Sequence, residues 1–516
     1  MRKTIILTVL DGYGIGKFDN SNPIYAAKPK YLTYLKNHFP YGALKSSGLA
    51  VGLPWEEPGN SEVGHLTLGA GRVLYQHCQK ITMAIEDKTF FGNQELKKVF
   101  LRAKETKGSV HLVGLLSSGT INANLKHLFA LIEMAKQEGC ENLFLHLITD
   151  GKEGPQKGSL AVLQELRKKM EMEGVGTIAS VMGRYYAMDR SESWDRTEKA
   201  YLCLTGNAEK TENAEKIIQE TWNKNLTDEF IPPTITGEPH PIKENDSVIF
   251  FNFREDNIRE LVSAFLEKDF KKFARTPIQN LQITTFTKCL ASQKEGVVFP
   301  NESVENVLGK VLSDNEKIQL RVAETEKQAH ITYFFNGLQE TPYKGEVRVI
   351  IPSVKSARPT EHPEMRASVI TDRALASIKE GGFDFILINY ANPDMMAHTG
   401  DFDATQKAIE TIDAEIGRLA GSVLEQNHIL IITSDHGNSE EVLDQKTGEK
   451  TTTHNANPVP LFLVGKEFQK QKNEAETYAQ IPVIGLLSDV APTILELFGI
   501  EKPKEMTGES LLSQLT

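Results

Sequence analysis

The segment 429–438 reads Ile-Leu-Ile-Ile-Thr-Ser-Asp-His-Gly-Asn, a short apolar run that ends in an Asp-His pair and a glycine. Consecutive apolar residues followed by turn-forming residues predict a buried strand. In open α/β sheets, ligands bind beyond the carboxyl ends of the strands. The segment therefore predicts a sheet of the α/β type with a polar site at its edge.

Similar apolar runs recur along the chain, with longer amphipathic stretches between them. The other clear runs are Ile5–Leu10, Val110–Leu116, Leu143–Ile148, Val248–Phe251 and Phe385–Ile388. The stretch 404–423 carries its apolar residues mostly three and four apart, which is the spacing of an amphipathic helix. Strands that alternate with helices predict an α/β fold with largely parallel sheets.

The composition is that of an ordinary globular protein. The chain has 516 residues, 40% of them hydrophobic and 25% charged, with a formal net charge of -11. An acidic balance argues against a general nucleic-acid binder and against a polybasic membrane-surface protein. No stretch approaches the roughly eighteen continuous apolar residues of a membrane helix. We therefore expect neither a nucleic-acid partner nor a membrane partner.

The cysteines and the N-terminal run indicate the compartment. The four cysteines lie far apart and form no Cys-x-x-Cys pair, which favours a reducing environment. The apolar run that begins at Ile5 is too short for a signal peptide and is interpreted as a strand. We expect a cytoplasmic protein, and we take a monomer as the expected state.

Asp and His residues are grouped as in metal sites. Asp394 and His398 are four residues apart, which places both on one face of a helical turn. Asp435 and His436 follow the strand quoted above, and His454 lies in a turn-rich loop. Each group alone is more typical of a surface pair or a turn. Together with Asp11, which follows the first strand, they supply enough ligands for two divalent ions with open positions.

A candidate nucleophile lies in segment 58–65, Pro-Gly-Asn-Ser-Glu-Val-Gly-His. If Ser61 opens a helix, the free backbone N–H groups there favour a phosphate. A bound divalent metal would activate the hydroxyl without a Ser-His-Asp triad. The simpler alternative is a serine that only caps a helix.

Basic residues cluster where an anion would need them. Segment 183–190 reads Gly-Arg-Tyr-Tyr-Ala-Met-Asp-Arg, Arg254 follows a strand, and Lys327 lies in a polar segment. Arginine suits bidentate binding of phosphate or carboxylate. Any single arginine is more often part of a surface ion pair, but beside a metal–serine site the set favours phosphate chemistry.

The distribution of these motifs predicts two domains. The metal-type motifs fall near residues 11–65 and again after 390, whereas the arginine motifs fall between 120 and 330. We therefore expect a metal-binding domain formed by 1–75 and 307–516, interrupted by a smaller α/β domain at 76–306.

Taken together, these motifs resemble the cofactor-independent phosphoglycerate mutases of the alkaline phosphatase superfamily. The similarity rests on segments 10–14, 59–65, 183–196, 389–400, 434–438 and 454–460, and it extends from residue 4 to about 510. The resemblance implies an alkaline-phosphatase-like metal domain and a transferase-like domain. It also implies an isomerase of glycolysis and gluconeogenesis that carries two metal ions, usually Mn²⁺.

The resemblance further implies a role for each site residue. One metal would be held by Asp394, His398 and His454, and the other by Asp11, Ser61, Asp435 and His436. Ser61 would accept the phosphoryl group of 3-phosphoglycerate and return it to the 2-hydroxyl of the same glycerate. The residues implied for the substrate are Lys152, Glu153, Arg184, Arg190, Arg254 and Lys327.

The chain departs from the family pattern at four positions, all in the transferase-like half. Asn122 stands where the family has a histidine, Lys152 and Glu153 replace Arg and Asp, and Asn257 replaces an arginine. The sequence alone predicts that Asn122→His improves turnover of 3-phosphoglycerate if the loop is equivalent.

These departures leave three readings of function open. A working mutase is favoured because the metal ligands, the serine and four basic residues remain. A metal-dependent phosphatase or phosphomutase for a different phosphorylated acid is the alternative, and a catalytically silent metal-binding protein is the third.

Overall fold

The computed structural model describes residues 3–55, 57–300, 304–356, 358–444, 447–470 and 481–516. The chain divides into two compact units. The first combines Met1–Tyr75 with Ser303–Thr516, and the second is Gln76–Glu302.

The strands that the described residues form are numbered here in chain order. They are β1 Ile5–Leu10, β2 Tyr41–Lys45, β3 Val110–Leu116, β4 Leu143–Thr149, β5 Thr177–Gly183, β6 Glu209–Thr211, β7 Thr234–Thr236, β8 Ser247–Phe250, β9 Gln282–Thr285, β10 Gln319–Glu324, β11 Glu346–Ile351, β12 Phe385–Tyr390, β13 Ile429–Thr433, β14 Val459–Val464 and β15 Val483–Leu486.

The α-helices of the described residues are numbered in the same way. They are α1 Pro23–Ala27, α2 Lys30–His38, α3 Ser61–Ala70, α4 His77–Glu86, α5 Gln94–Thr106, α6 Leu125–Gln137, α7 Ser159–Glu173, α8 Arg184–Ala187, α9 Trp194–Leu204, α10 Ala214–Asn223, α11 Arg259–Leu266, α12 Leu308–Asp314, α13 Ala367–Glu380, α14 Asn392–Ala397, α15 Phe402–Glu425, α16 Val490–Leu497 and α17 Leu512–Leu515.

The first unit is built on an eight-stranded sheet of order β11-β10-β12-β1-β13-β14-β2-β15. Its strands are parallel from β11 to β13, and β14 is antiparallel to both of its neighbours. Alternate residues of β1 enter different cores: Ile5 and Leu7 lie in one, Ile6 and Leu10 in the other. A sheet with apolar cores on both faces explains why its central strands are nearly continuous apolar runs.

The second unit is built on a seven-stranded sheet of order β6-β7-β5-β4-β3-β8-β9. All of its pairings are parallel except that of β5 with β7. Its strands and helices share one apolar core, in which β3 is buried along its whole length.

The six predicted apolar runs all fall on strands, and the predicted α/β fold is confirmed. Five of the six runs belong to strands that start at the predicted residue, namely Ile5, Val110, Leu143, Phe385 and Ile429. Strand β8, Ser247–Phe250, is shifted by one residue toward the N-terminus from the predicted run Val248–Phe251. Within the described ranges, none of the helices has the length and apolarity required to span a bilayer.

Candidate metal centre

The central parallel strands of the first unit bring polar residues to one edge. Asp11 follows β1, Asp435 follows β13, Asp394 lies in the helix after β12, and Lys327 ends a 3-10 turn after β10. Because β10, β12, β1 and β13 are neighbours in the sheet and parallel, their carboxyl ends meet at this edge.

Ser61 is the first residue of α3, which Asn60 caps by accepting a hydrogen bond from the Val63 amide. The Ser61 Oγ lies 3.1 Å from Asp11 Oδ1 and 2.9 Å from His436 Nε2. The side chain that the sequence proposes as nucleophile thus lies among the proposed ligands, and it is a helical residue, not the cap.

Two histidines present their Nε2 atoms to the same point. His398 Nε2 and His454 Nε2 are 3.1 Å apart, and they lie 3.2 Å and 3.5 Å from Asp394 Oδ1. Each ring directs Nδ1 at a backbone carbonyl, that of Thr452 at 2.9 Å and that of Gly59 at 2.8 Å. A carbonyl accepts only from a protonated nitrogen, so these contacts leave the Nε2 lone pairs free to bind a cation. Asp394, His398 and His454 form one group of candidate ligands.

Asp11, Asp435 and His436 form a second group, and all three are buried. Asp435 Oδ2 accepts no well-oriented hydrogen bond; its near neighbours are His65 Nδ1 at 3.1 Å and His436 Nε2 at 3.6 Å. A buried carboxylate oxygen without a hydrogen-bond donor is costly. A divalent cation bound between these three side chains would satisfy it, so the residues fit the implied metal.

Lys327 joins the two groups. Its Nζ lies 2.6 Å from Asp11 Oδ1, 2.7 Å from Asp394 Oδ2 and 2.8 Å from Ser61 Oγ. Burial alone would lower the pKa of Lys327, but the carboxylates of Asp11, Asp394 and Asp435 outweigh it and raise the pKa. The ammonium therefore stays charged beside Ser61, where it can stabilise negative charge.

The two carboxylates that Lys327 touches differ in their proton affinity. Burial raises the pKa of Asp11, with the nearby Asp435 carboxylate adding to the rise. Burial also acts on Asp394, but Lys327 and the two histidines hold the pKa of Asp394 well below its usual range. Asp394 is therefore ionised and ready to bind a cation.

Two asparagines, which no sequence motif marks as ligands, support these side chains. Asn389 donates to Asp11 Oδ2 at 2.7 Å, and Asn438 donates to Asp394 Oδ1 at 2.8 Å. Both asparagines lie inside the segments 389–400 and 434–438, which carry the family resemblance. Their partners are 378 and 44 residues away, so spacing alone could not reveal the contacts.

In the second unit, Glu153 and Arg184 belong to one polar cluster. Arg184 Nη1 donates to Asp150 Oδ1 at 2.6 Å and to Glu153 Oε1 at 3.2 Å. Asn122 donates to Glu153 Oε1 at 2.6 Å and accepts from Asn257 Nδ2 at 2.8 Å. Three of the four positions that depart from the family pattern are thus hydrogen-bonded in a row.

The other basic residues predicted for the substrate lie elsewhere. Arg190 and Arg254 both bond to Asp256, at 3.2 Å and 2.9 Å, with well-exposed side chains. Lys152 forms an ion pair with Glu229 at 2.6 Å, so it does not join the Arg184 cluster in this structure. Lys327 belongs to the first unit, against Ser61.

Comparisons with known proteins agree with this arrangement. Residues 81–290 match the family model described as BPG-independent PGAM N-terminus, and residues 339–500 match a sulfatase model. A 2,3-bisphosphoglycerate-independent phosphoglycerate mutase of Clostridioides difficile (strain 630) is 43% identical over 519 residues, which cover 100% of both chains. The corresponding protein of Clostridium kluyveri is 42% identical over 99% of both chains.

A solved structure is similar over nearly the whole chain. The Leishmania mexicana phosphoglycerate mutase, determined at low cobalt concentration, superimposes with a TM-score of 0.57 and 28% identity, covering 99% of this chain and 97% of that one. An alkaline-phosphatase-like fold with two ligand groups implies a protein that binds divalent metal. By its full-length relatives, its fold and the residues at this sheet edge, the chain belongs to the 2,3-bisphosphoglycerate-independent phosphoglycerate mutases.

Proposed function

We propose that this protein interconverts 3-phosphoglycerate and 2-phosphoglycerate through a phosphoryl group carried on Ser61. The observation that carries the proposal is the position of the Ser61 hydroxyl. It lies at the N-terminus of α3, 2.8 Å from the Lys327 ammonium and beside two groups of metal ligands. A helix N-terminus and a buried cation both favour a phosphate at that point.

We propose that two Mn²⁺ ions occupy the ligand groups. Asp394, His398 and His454 would hold one, and Asp11, Asp435, His436 and Ser61 would hold the other. Imidazole ligands suit manganese better than magnesium, which prefers oxygen ligands and water. When bound, the ions would neutralise phosphate oxygens and lower the pKa of the serine hydroxyl.

The chain's own residues then supply the transfer. Ser61 Oγ forms a bond to phosphorus as the bond from phosphorus to the C3 oxygen of glycerate breaks. The hydroxyl proton of Ser61 ends on that C3 oxygen, so glycerate is released from phosphorus as an alcohol. In the second half, the C2 hydroxyl takes the phosphoryl group and its proton returns to Ser61. Lys327 stabilises the negative charge on the serine oxygen in both halves.

We propose that the second unit is a transferase-like domain inserted in the metal-binding domain. It would retain the glycerate between the two steps of the reaction. Arg184 is held by Asp150 and Glu153, so its guanidinium is fixed in one orientation. Arg190 and Arg254 share Asp256 and remain exposed, which leaves them free to bind a carboxylate or phosphate. A mutase needs this retention. If the glycerate diffused away, water would take the phosphoryl group from Ser61 and the product would be inorganic phosphate.

One observation favours a second candidate, a phosphatase or phosphomutase for a different phosphorylated acid. Asn122 and Asn257 are neutral and bond to each other, where the family pattern has a histidine and an arginine. The cluster therefore has less positive charge to hold glycerate.

Four free cysteines favour a reducing compartment, so for either activity we propose the cytoplasm.

Phosphorus NMR of the purified protein with Mn²⁺ and 3-phosphoglycerate, without 2,3-bisphosphoglycerate, tests the proposal. We expect a 2-phosphoglycerate signal that grows to equilibrium and disappears when the metal is chelated. Growth of an inorganic phosphate signal alone would show phosphatase activity and contradict the mutase. Absence of any reaction with Mn²⁺ present would contradict the mutase and would favour the second candidate, whose substrate is a different phosphorylated acid.

A further inference from the structure

Glu440 lies where three loops of the first unit meet, and its side chain bonds to each of them. Its Oε2 accepts from the Gly14 amide at 2.9 Å and from the Asn438 amide at 3.0 Å. Its Oε1 accepts from Asn457 Nδ2 at 3.0 Å. The residue is 3% exposed, so water does not replace these bonds.

Each of these three loops carries proposed metal ligands. The loop of Gly14 begins at Asp11, the loop of Asn438 begins with Asp435 and His436, and the loop of Asn457 contains His454. Glu440 itself belongs to neither ligand group. Its carboxylate therefore links the ligand-bearing loops and is not itself a candidate ligand.

The sequence leaves room for this side chain. A Cβ on Gly14 would lie 2.1 Å from Glu440 Oε1, and one on Gly437 would lie 2.5 Å from the same atom. A Cβ on Gly16 would lie 2.8 Å from Glu440 Cγ. Glycines from two loops thus form the space that the carboxyl group fills.

Further bonds connect the same loops around Glu440. The Asn455 amide donates to the Gly437 carbonyl at 3.1 Å, and the Ser439 amide donates to the Gly12 carbonyl at 2.8 Å. We propose that Glu440 is a positioning residue that holds Asp11, His436 and His454 in the geometry that binds divalent metal. The inference rests on the proposed metal sites.

Residues that orient metal ligands typically change metal affinity by about 10- to 100-fold when removed. We therefore expect Glu440→Ala to weaken Mn²⁺ binding by at least about tenfold. Glu440→Gln should stay within about threefold of the wild type. Its amide oxygen can accept from both backbone N–H groups, and the Asn457 amide can turn to accept from its NH₂.

The measurement is an isothermal calorimetric titration of the metal-free full chain with Mn²⁺. It requires neither substrate nor turnover. The matched control is Asp413→Ala. Asp413 is a buried carboxylate that accepts from three backbone amides of the α2 segment, Lys30, Tyr31 and Leu32, at 2.7, 3.0 and 2.8 Å. Its loss should lower the melting temperature and leave Mn²⁺ affinity unchanged.

Two results would overturn the proposal: wild-type Mn²⁺ affinity in Glu440→Ala, or an equal loss in Glu440→Ala and Asp413→Ala. A Glu440→Gln protein as weak as Glu440→Ala would also overturn it, because charge would then matter and not the hydrogen bonds. If Glu440→Ala does not fold, the Mn²⁺ affinity of Glu440→Asp is measured instead. The shorter side chain cannot reach all three loops, so we expect weaker binding. Wild-type affinity in Glu440→Asp would reject the inference. His454→Ala removes a proposed ligand and should itself weaken Mn²⁺ binding. Wild-type affinity in His454→Ala would therefore reject the proposed metal site and not only the role of Glu440.

Discussion

The Ser61 hydroxyl has three polar neighbours that come from three separate strand ends. Asp11, His436 and Lys327 all lie within 3.1 Å of its oxygen. Such an arrangement is needed to generate a serine nucleophile where no Ser-His-Asp triad exists. Ser61 is therefore the hydroxyl that these three groups surround.

We expect Ser61→Ala to lower turnover by at least about a thousandfold while the fold is kept, since the variant removes only the oxygen that accepts the phosphoryl group. Steady-state kinetics and circular dichroism check the two halves of this expectation. Ser377→Ala is the control: this serine is also buried, and its hydroxyl donates to the Arg373 carbonyl at 2.9 Å. Equal turnover in Ser61→Ala and the control would reject the nucleophile.

Asn122 illustrates how contacts change a prediction made from sequence. It is buried, and both polar atoms of its side chain are used, one by Asn257 and one by Glu153. A histidine at 122 is larger, and it would have to replace both bonds at once. The structure therefore reverses the expectation that Asn122→His improves the enzyme.

We expect Asn122→His to lower the unfolding free energy by about 1–3 kcal/mol, because overpacking a buried site typically costs that much. We also expect kcat/KM to fall, because the bonds of Asn122 to Glu153 and Asn257 are lost. Kinetics with 3-phosphoglycerate and a thermal melt measure the effect. Ile121→His is the control, since that neighbouring side chain is 51% exposed and can accept the ring. A rise in kcat/KM for Asn122→His would contradict this expectation and would favour the prediction made from sequence.

At the scale of elements, helix α3 has to approach the loop after β13 closely for Ser61 to reach the ligands. Gly64, one turn into the helix, permits this approach. A Cβ there would lie 2.6 Å from the Asp435 carbonyl oxygen and 2.7 Å from Asp435 Cβ. The glycine thus determines how close the serine lies to Asp435.

Glycine to alanine inside a helix usually stabilises by about 1 kcal/mol. At Gly64 we expect the opposite: a lower melting temperature, and turnover reduced by about a hundredfold as the serine is displaced. Gly421→Ala is the matched control, because that glycine lies inside α15 with nothing near its Cβ position, and it should raise the melting temperature. A Gly64→Ala protein that gains stability as Gly421→Ala does would contradict the argument.

At the scale of the whole molecule, buried neutral histidines make stability depend on pH. Burial lowers the pKa of His127 to about 3, with Lys126 adding to the fall. Its Nδ1 is buried without a hydrogen-bond partner, and its Nε2 lies 3.0 Å from Thr82 Oγ1. Protonation would therefore bury a charge that no neighbour stabilises.

The sign follows from the unfolded chain, where histidine has a pKa near 6.5. The stability contributed by neutral His127 is fully present above about pH 6.5 and is lost as the pH falls toward the folded pKa. At about pH 5 we expect His127 to account for roughly 2 kcal/mol of lost unfolding free energy. Urea unfolding of the wild type and His127→Gln at several pH values measures this, and parallel pH curves for the two proteins would contradict it.

The fold was largely readable from sequence because its central strands are local apolar runs. The run 429–432 became β13, and the polar residues after it became part of the site. The antiparallel insertion of β14 beside β13 could not be read, since no local pattern records which distant strand pairs with which.

The site was readable to a similar extent. Strand ends and ligand types brought Asp11, Asp394 and His436 to attention, and the structure places them together. The partner of Lys152 could not be foreseen, because Glu229 is brought to it by the fold of the second unit. The bond of Asn122 to Asn257 joins residues 135 positions apart and was equally hidden.

The central claim is that the phosphoryl group passes through Ser61. The measurement that tests it most directly is peptide mass spectrometry of the Mn²⁺-loaded protein, quenched in acid during turnover of 3-phosphoglycerate. We predict one added phosphoryl group, located on Ser61 and absent when the metal is chelated. A phosphoryl group on any other residue during turnover would contradict the account.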